Sequence, residues 1–148
     1  MITLTSEPFE PGTLLTAFCA GRDETGAVAS FTGLARAEQG QAAALELEAY
    51  PGFTDLAIRA FAETAKTRFA LHDYRIVHRT GQIAPGEAIV FVATAAGHRR
   101  EAFEACDFLM DWLKSRAPFW KKEHGPGGAR WIEPTDRDRT DAKRWDQE

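Results

Sequence analysis

The sequence predicts an α+β domain with a mixed or antiparallel sheet, and three observations carry that reading. Short strand-like segments recur along the 148 residues, two long stretches carry helical periodicity, and Pro-Gly or Gly-rich breaks separate them in no βαβ order. A chain of this length suits one domain burying about two-thirds of its unfolded surface. We place that domain at residues 1–134, followed by a C-terminal tail at 135–148 that is expected to be mobile at its end.

Taken in order, Ile2 to Thr5 is a short strand, and Pro11 opens a helix whose apolar face is Leu14, Leu15, Phe18 and Cys19, ended by Gly21. Ala27 to Ala35 reads as a buried strand and Arg36 to Gln41 as a polar loop. Leu45, Leu47 and Ala49 alternate with Glu46, Glu48 and Tyr50 as in a half-buried strand, so the two strands suggest a hairpin. After Pro51-Gly52, the positions of Phe53, Leu56, Ala57, Ala60, Phe61, Ala65 and Phe69 give a long amphipathic helix. Tyr74 to Ile83 and Ala88 to Ala95 are strands joined by a turn carrying Pro85-Gly86, and the second, apolar on both faces, is expected to be central. A helix follows from Arg99 to Arg116 with a buried stripe of Ala102, Phe103, Cys106, Leu109, Met110 and Leu113, stopped by Pro118. Phe119 to Glu123 and Ala129 to Glu133 then read as short strands around Gly125-Pro126-Gly127-Gly128.

Composition excludes several classes of function. The net charge of -4 argues against general nucleic-acid binding, which depends on a basic surface. The longest strongly apolar run, Ala88 to Ala96, is about half of what crossing a bilayer requires, and the chain opens with no leader pattern. A cytoplasmic protein with no membrane contact is expected. Cys19 and Cys106 both sit among apolar residues at helical spacing and read as buried free thiols, and the four histidines are scattered rather than grouped for zinc.

One segment runs against this acidic balance. Gly97 to Trp131 holds seven basic and five acidic residues, enough to hold a small anion. Gly97-His98-Arg99-Arg100 puts cations at a helix N-terminus, where each costs about 0.3–1 kcal/mol unless an anion sits among them or Glu101 and Glu104 offset them. Both readings are open from the sequence. Lys114 near the end of the same helix is ordinary dipole compensation taken alone. On a strand, Lys121 would share a face with Phe119 and with Glu123, a carboxylate able to hold it, while Lys122 would face the other way. Arg36 leaves an apolar strand, where a loop arginine is usually solvated, although a sheet edge is also where binding groups collect, and its spacing does not choose. His78-Arg79 reads as structural, inside a strand where the two must point to opposite faces.

Together, Phe31-Thr32-Gly33-Leu34-Ala35-Arg36, Glu48-Ala49-Tyr50-Pro51-Gly52, Ile76-Val77-His78-Arg79-Thr80-Gly81, Pro85-Gly86-Glu87, Gly97-His98-Arg99 and Leu113-Lys114-Ser115-Arg116-Ala117-Pro118-Phe119-Trp120-Lys121-Lys122-Glu123 followed by Trp131 resemble the MoaE family, the large subunit of molybdopterin synthase. The likeness spans about residues 3 to 133. It implies an α/β hammerhead fold and a homodimer that binds two small ubiquitin-like sulfur carriers, making a heterotetramer. It implies sulfur transfer from a thiocarboxylate on the carrier's C-terminal Gly-Gly tail to cyclic pyranopterin monophosphate, with no metal or nucleotide cofactor.

Matched residue by residue, the resemblance implies that Leu34, Ala35 and Arg36 form one substrate-binding segment, and that His98 with Arg99, contributed by the neighbouring protomer, forms another. Lys114 and Lys121 are implied as the catalytic pocket lysines, Lys122 and Glu123 as the last binding segment, and Phe31 and Met110 as pocket walls. The chain departs from the family at Leu34, where a basic residue is common, and at Thr135, where an arginine sometimes stands and Arg137 is the nearby substitute. The residue types suit the chemistry, since a thiocarboxylate is already a nucleophile and the protein must mainly gather anions and manage protons. Two lysines sharing a pocket depress each other's pKa, so one can serve as an acid/base. The competing reading is a non-catalytic phosphate- or partner-binding module of the same fold, with the lysines as anchors.

Overall fold

Two four-stranded sheets divide the strands of the computed structural model, which describes residues 1–37 and 44–146. The first has the order β1-β4-β6-β2, built from β1 (Ile2–Thr5), β4 (Asp73–Arg79), β6 (Ala88–Ala96) and β2 (Ala27–Leu34). Only β1 and β4 run parallel in it. The second, β5-β3-β7-β8, is antiparallel and contains β5 (Gly81–Ile83), β3 (Ala44–Ala49), β7 (Phe119–Gly125) and β8 (Gly128–Ile132). Four helices complete the described chain: α1 (Pro11–Cys19), α2 (Thr54–Arg68), α3 (Arg99–Ser115) and α4 (Asp136–Ala142), the last running into a 3-10 turn at Lys143–Asp146. The mixed α+β class read from the sequence holds. Among the described residues, no helix is long and apolar enough to cross a membrane.

Strand β6 shows why the first sheet forms where it does. Its apolar residues face both ways, so it needs cover on each side and a strand along each edge. Val90 and Val92 look toward α2 and α3, where Ile58, Ala62, Ala105, Leu109 and Leu113 close the main core. Phe91, Ala93 and Ala95 look the other way and meet Phe18 of α1. Thr94, fully buried, satisfies its hydroxyl by donating to the Ala102 carbonyl at 2.7 Å, which ties α3 to the sheet. A smaller core of Ala35, Leu47, Ile83 and Ile89, with Phe119 against it, joins the second sheet to the first.

Several expectations change. Ala27–Leu34 and Ala44–Ala49 do not form a hairpin: β2 pairs with β6, and β3 pairs with β5 and β7. Nearness in sequence suggested that pair, but β2 has the apolar edge of β6 to cover, while the alternating β3 suits a sheet with one wet face. Residues 38 onward of the proposed polar loop lie outside the described residues. The single strand from Tyr74 to Ile83 is two strands in different sheets, divided at Thr80, whose N–H donates to the Thr5 carbonyl at 2.9 Å, and turned by Gly81 at φ 76°.

Helix α2 buries only part of the face read: Phe61, Ala65 and Phe69 pack inward as expected, but its first half is turned. Thr54 begins the buried stripe because its hydroxyl accepts from Tyr50 N–H and donates to the Pro118 carbonyl, and Ile58, Ala62, Ala65 and Phe69 follow. Phe53 and Leu56 are therefore exposed, as is Phe103 of α3. Cys19 is exposed rather than buried, whereas Cys106 is buried as expected. The tail also docks through residue 146. A Thr135–Asp138 capping box starts α4, and Arg144 and Trp145 both donate to Asp111 of α3, each at 2.6 Å.

Candidate active site

The end of α3 and the start of β7 set the centre of the site. Pro118 breaks the helix after Lys114 has passed, and the chain turns directly into β7, so the short link returns Lys121 toward the helix end. Lys114 acts on Lys121 both as a neighbouring charge and as a hydrogen-bonding group, as the two side chains converge. Burial is the larger effect and, with Lys114, pushes the Lys121 ammonium down to about 8. Asp138 of α4 opposes the shift. A lysine in that state is partly neutral near physiological pH and can give or take a proton.

The expected facing of β7 is found, with one change of partner. Lys121 lies opposite buried Leu47 on β3 and Lys122 lies opposite Trp131 on β8, so they occupy opposite faces. Lys122 Nζ rests 5.2 Å from the Trp131 ring centroid, a cation–π contact. Glu123 is engaged by Arg130, which donates to its Oε2 at 3.0 and 3.2 Å, so it is not the carboxylate that acts on Lys121. That role falls to Asp138, in the part of the chain read as a tail. Its sequence signal was the Thr135-x-x-Asp138 cap, which marks a helix rather than a loose end.

Behind the lysines stands His78, read from the sequence as structural. Its ring is buried and stacked on Phe119, with centroids 4.2 Å apart and planes at 21°. The Arg79 carbonyl lies 2.9 Å from Nδ1 and can only accept, so Nδ1 carries the proton of the neutral ring. Burial pushes its pKa down to about 4, and the charges of Lys121 and Lys114 act in the same direction. His78 is thus a neutral, buried ring whose charge state is governed by burial and by the nearby lysines. Period-two reasoning missed this because Phe119, its stacking partner, lies 41 positions along the chain on a strand of the other sheet.

Phe31, Met110 and Lys114 line one groove of about 350 Å³ with Ser30, Phe103 and Asp107. Arg36 is exposed just past β2, and the Ala35 N–H before it donates to the Glu87 carbonyl at 2.9 Å. Leu34 is exposed at the end of β2. His98 and Arg99 are exposed at the opposite end of α3 from Lys114. Fifteen residues at 1.5 Å rise separate Arg99 from Lys114 by about 22 Å, so one chain does not bring all the expected groups into one pocket. Arg137 is 89% exposed and pairs with Asp141 at 3.9 Å.

The described residues thus define a two-sheet α+β protein with a groove lined by Phe31, Met110 and Lys114 and, converging on the exposed Lys114, a half-buried Lys121 of lowered pKa. The family model described as MoaE protein matches residues 4–116. The molybdopterin synthase catalytic subunit of Caulobacter vibrioides is 79% identical over 148 residues, covering 100% of this chain and 99% of that protein. The subunit of the same name from Cereibacter sphaeroides is 49% identical over 144 residues, covering 97% and 99%. Among solved structures, the molybdopterin biosynthesis MoaE protein of Burkholderia ambifaria matches with a TM-score of 0.85 at 41% identity, covering 100% of this chain and 99% of that one. The chain belongs to the MoaE family.

Proposed function

We propose that this chain is the catalytic subunit of a molybdopterin synthase, a sulfurtransferase of molybdenum cofactor biosynthesis. It transfers two sulfurs from the thiocarboxylated C-terminus of a small carrier subunit to cyclic pyranopterin monophosphate, forming the molybdopterin dithiolene. The observation that carries this reading is the convergence of Lys114 with a half-buried Lys121 whose pKa is about 8. A mere anchor for an acidic tail gains nothing from a lysine that gives up its charge, whereas a group that moves protons does. The full-length likeness to catalytic subunits also disfavours a non-catalytic module.

In this reading the carrier's Gly-Gly tail enters along the groove by Phe31 and Met110, and its thiocarboxylate sulfur attacks a carbon of the pterin side chain, forming a C–S bond as a C–O bond there breaks and its oxygen leaves with a proton. Lys114 stabilises the oxyanion that forms as water cleaves the acyl–sulfur bond, which returns the carrier's carboxylate and leaves the sulfur on the pterin. Lys121 exchanges protons with the reacting atoms, while Lys122 and Glu123 hold the segment in place. The substrate phosphate is gripped by Arg36, with the backbone of Leu34 and Ala35 beside it, and by His98 and Arg99 of a second protomer. The span of about 22 Å along α3 supports this division between protomers. The working assembly is then a homodimer with two carriers, a cytoplasmic heterotetramer. Its test is direct: purified protein with thiocarboxylated carrier must convert the pterin to a dithiolene, and failure of that conversion with an intact fold returns the chain to a binding role.

A further inference from the structure

Arg79 ends β4 with a side chain that is only 4% exposed, although it lines no part of the groove. A buried guanidinium is costly unless its donors are matched. One Nη donates to Glu87 Oε2 at 2.7 Å and the other to the Gln82 carbonyl at 3.0 Å, while Nε has no partner among the described residues. Glu87 Oε1 in turn accepts from Ala84 N–H at 3.2 Å. These bonds clamp both sides of the turn between β5 and β6. The hydrogen bond from Arg79 holds the Glu87 carboxyl below its ordinary range.

The clamped turn carries a second set of bonds. Gly86, at φ 90°, donates its N–H to the Ala35 carbonyl at 2.6 Å, and Ala35 N–H donates to the Glu87 carbonyl at 2.9 Å. They extend the β2–β6 pairing past the irregularity at Gly33 and Leu34 and anchor Ala35, itself 7% exposed, on both its N–H and its carbonyl. Arg36 comes next and is exposed. We propose that Arg79 and Glu87 are positioning residues for Arg36, acting through the turn and Ala35 to aim that arginine at the substrate's phosphate. The inference rests on the phosphate role given to Arg36 above. A long side chain loses less freedom on binding when its backbone is already held, so the pair acts on substrate affinity rather than on the chemical step.

A double-mutant cycle in the complete complex with thiocarboxylated carrier tests this, with Arg36→Ala, Glu87→Gln and the double variant compared with wild type. Glu87→Gln keeps the size of the side chain and removes its charge, and Arg79→Lys, which keeps a charge but loses the two-pronged grip, is the second probe if the first lowers expression. We expect Glu87→Gln to raise the pterin KM about five- to tenfold with kcat within about twofold and carrier affinity unchanged. In the Arg36→Ala background it should add nothing, because its effect passes through Arg36. Equal effects of Glu87→Gln with and without Arg36, or a lower melting temperature with no change in KM, would overturn the proposal. If Arg36→Ala itself leaves KM unchanged, the phosphate role of Arg36 fails, and the positioning proposal fails with it.

Discussion

Lys114 and Lys121 approach one another from different elements, the last turn of α3 and the middle of β7, and Lys121 carries the cost of the encounter. Its ammonium is buried beside a like charge, and Asp138 only partly offsets this. Several measurable consequences follow from that geometry and from the buried ring of His78.

Single-turnover sulfur transfer should rise with pH through about 8 as Lys121 loses its proton, if the neutral amine is the working form. Lys114→Met removes the nearest positive charge and should move this inflection upward, whatever it does to the maximal rate. Lys121→Ala should lower the rate on the order of a hundredfold or more with carrier affinity largely kept. Lys121→Arg should rescue little, because arginine does not deprotonate. Strong rescue by arginine, or an inflection that ignores Lys114→Met, would leave Lys121 a purely electrostatic role.

The same lysine should cost stability. A lysine pKa lowered in the native state means that between about 8 and the unfolded value of 10.5 the unfolded chain binds the extra proton, so stability rises with pH across that window and the penalty is complete below it. Lys121→Met is therefore expected to raise the melting temperature at pH 7, at about 2–4 °C per kcal/mol for a chain of this size. The gain should shrink by pH 10. A loss of stability at pH 7 would show that the lysine is better accommodated than its burial indicates.

His78 makes an acid-side prediction of the same kind. The native ring resists protonation until about pH 4, whereas the unfolded chain takes the proton near 6.5. Its contribution is thus fully present above 6.5 and is lost as pH falls toward 4, on the order of 1–2 kcal/mol by pH 5. Urea denaturation at pH 7 and pH 5 should show a smaller pH-dependent loss for His78→Gln than for wild type. An equal loss in the two proteins would mean that other groups account for the acid sensitivity.

Because α3 separates Arg99 from Lys114, defects at the two ends should complement each other across a dimer. Arg99→Ala and Lys121→Ala homodimers are each expected to be nearly inactive, whereas a statistical mixture of protomers regains about a quarter of wild-type sites, since half the dimers are mixed and each then holds one intact site. No recovery on mixing, with exchange of protomers verified by mass, would place Arg99 and Lys121 in the same chain's site or in no shared site at all.

Much of this protein was readable from local pattern. Period-two alternation placed β3, the Gly125-Pro126-Gly127-Gly128 turn bracketed β7 and β8, unbroken apolar character marked β6 as central, and Pro11 and Pro118 set a helix start and a helix end, because each depends on residues within a few positions of one another. The ordered segments from Phe31 through Trp131 also carried the family and, with it, the expected site residues. Which strands pair was decided only in three dimensions. The hairpin of β2 with β3 failed because the edge of β6 competes for β2, and the strand from Tyr74 to Ile83 divided at Thr80 because its two halves serve different sheets. Tertiary packing likewise turned α2 so that Thr54 faces inward, set His78 against Phe119, and docked the tail so that the charge of Asp138 acts on Lys121. These are long-range choices among competing partners, settled by which arrangement buries most apolar surface with its polar groups paired, and local periodicity carries no record of that competition.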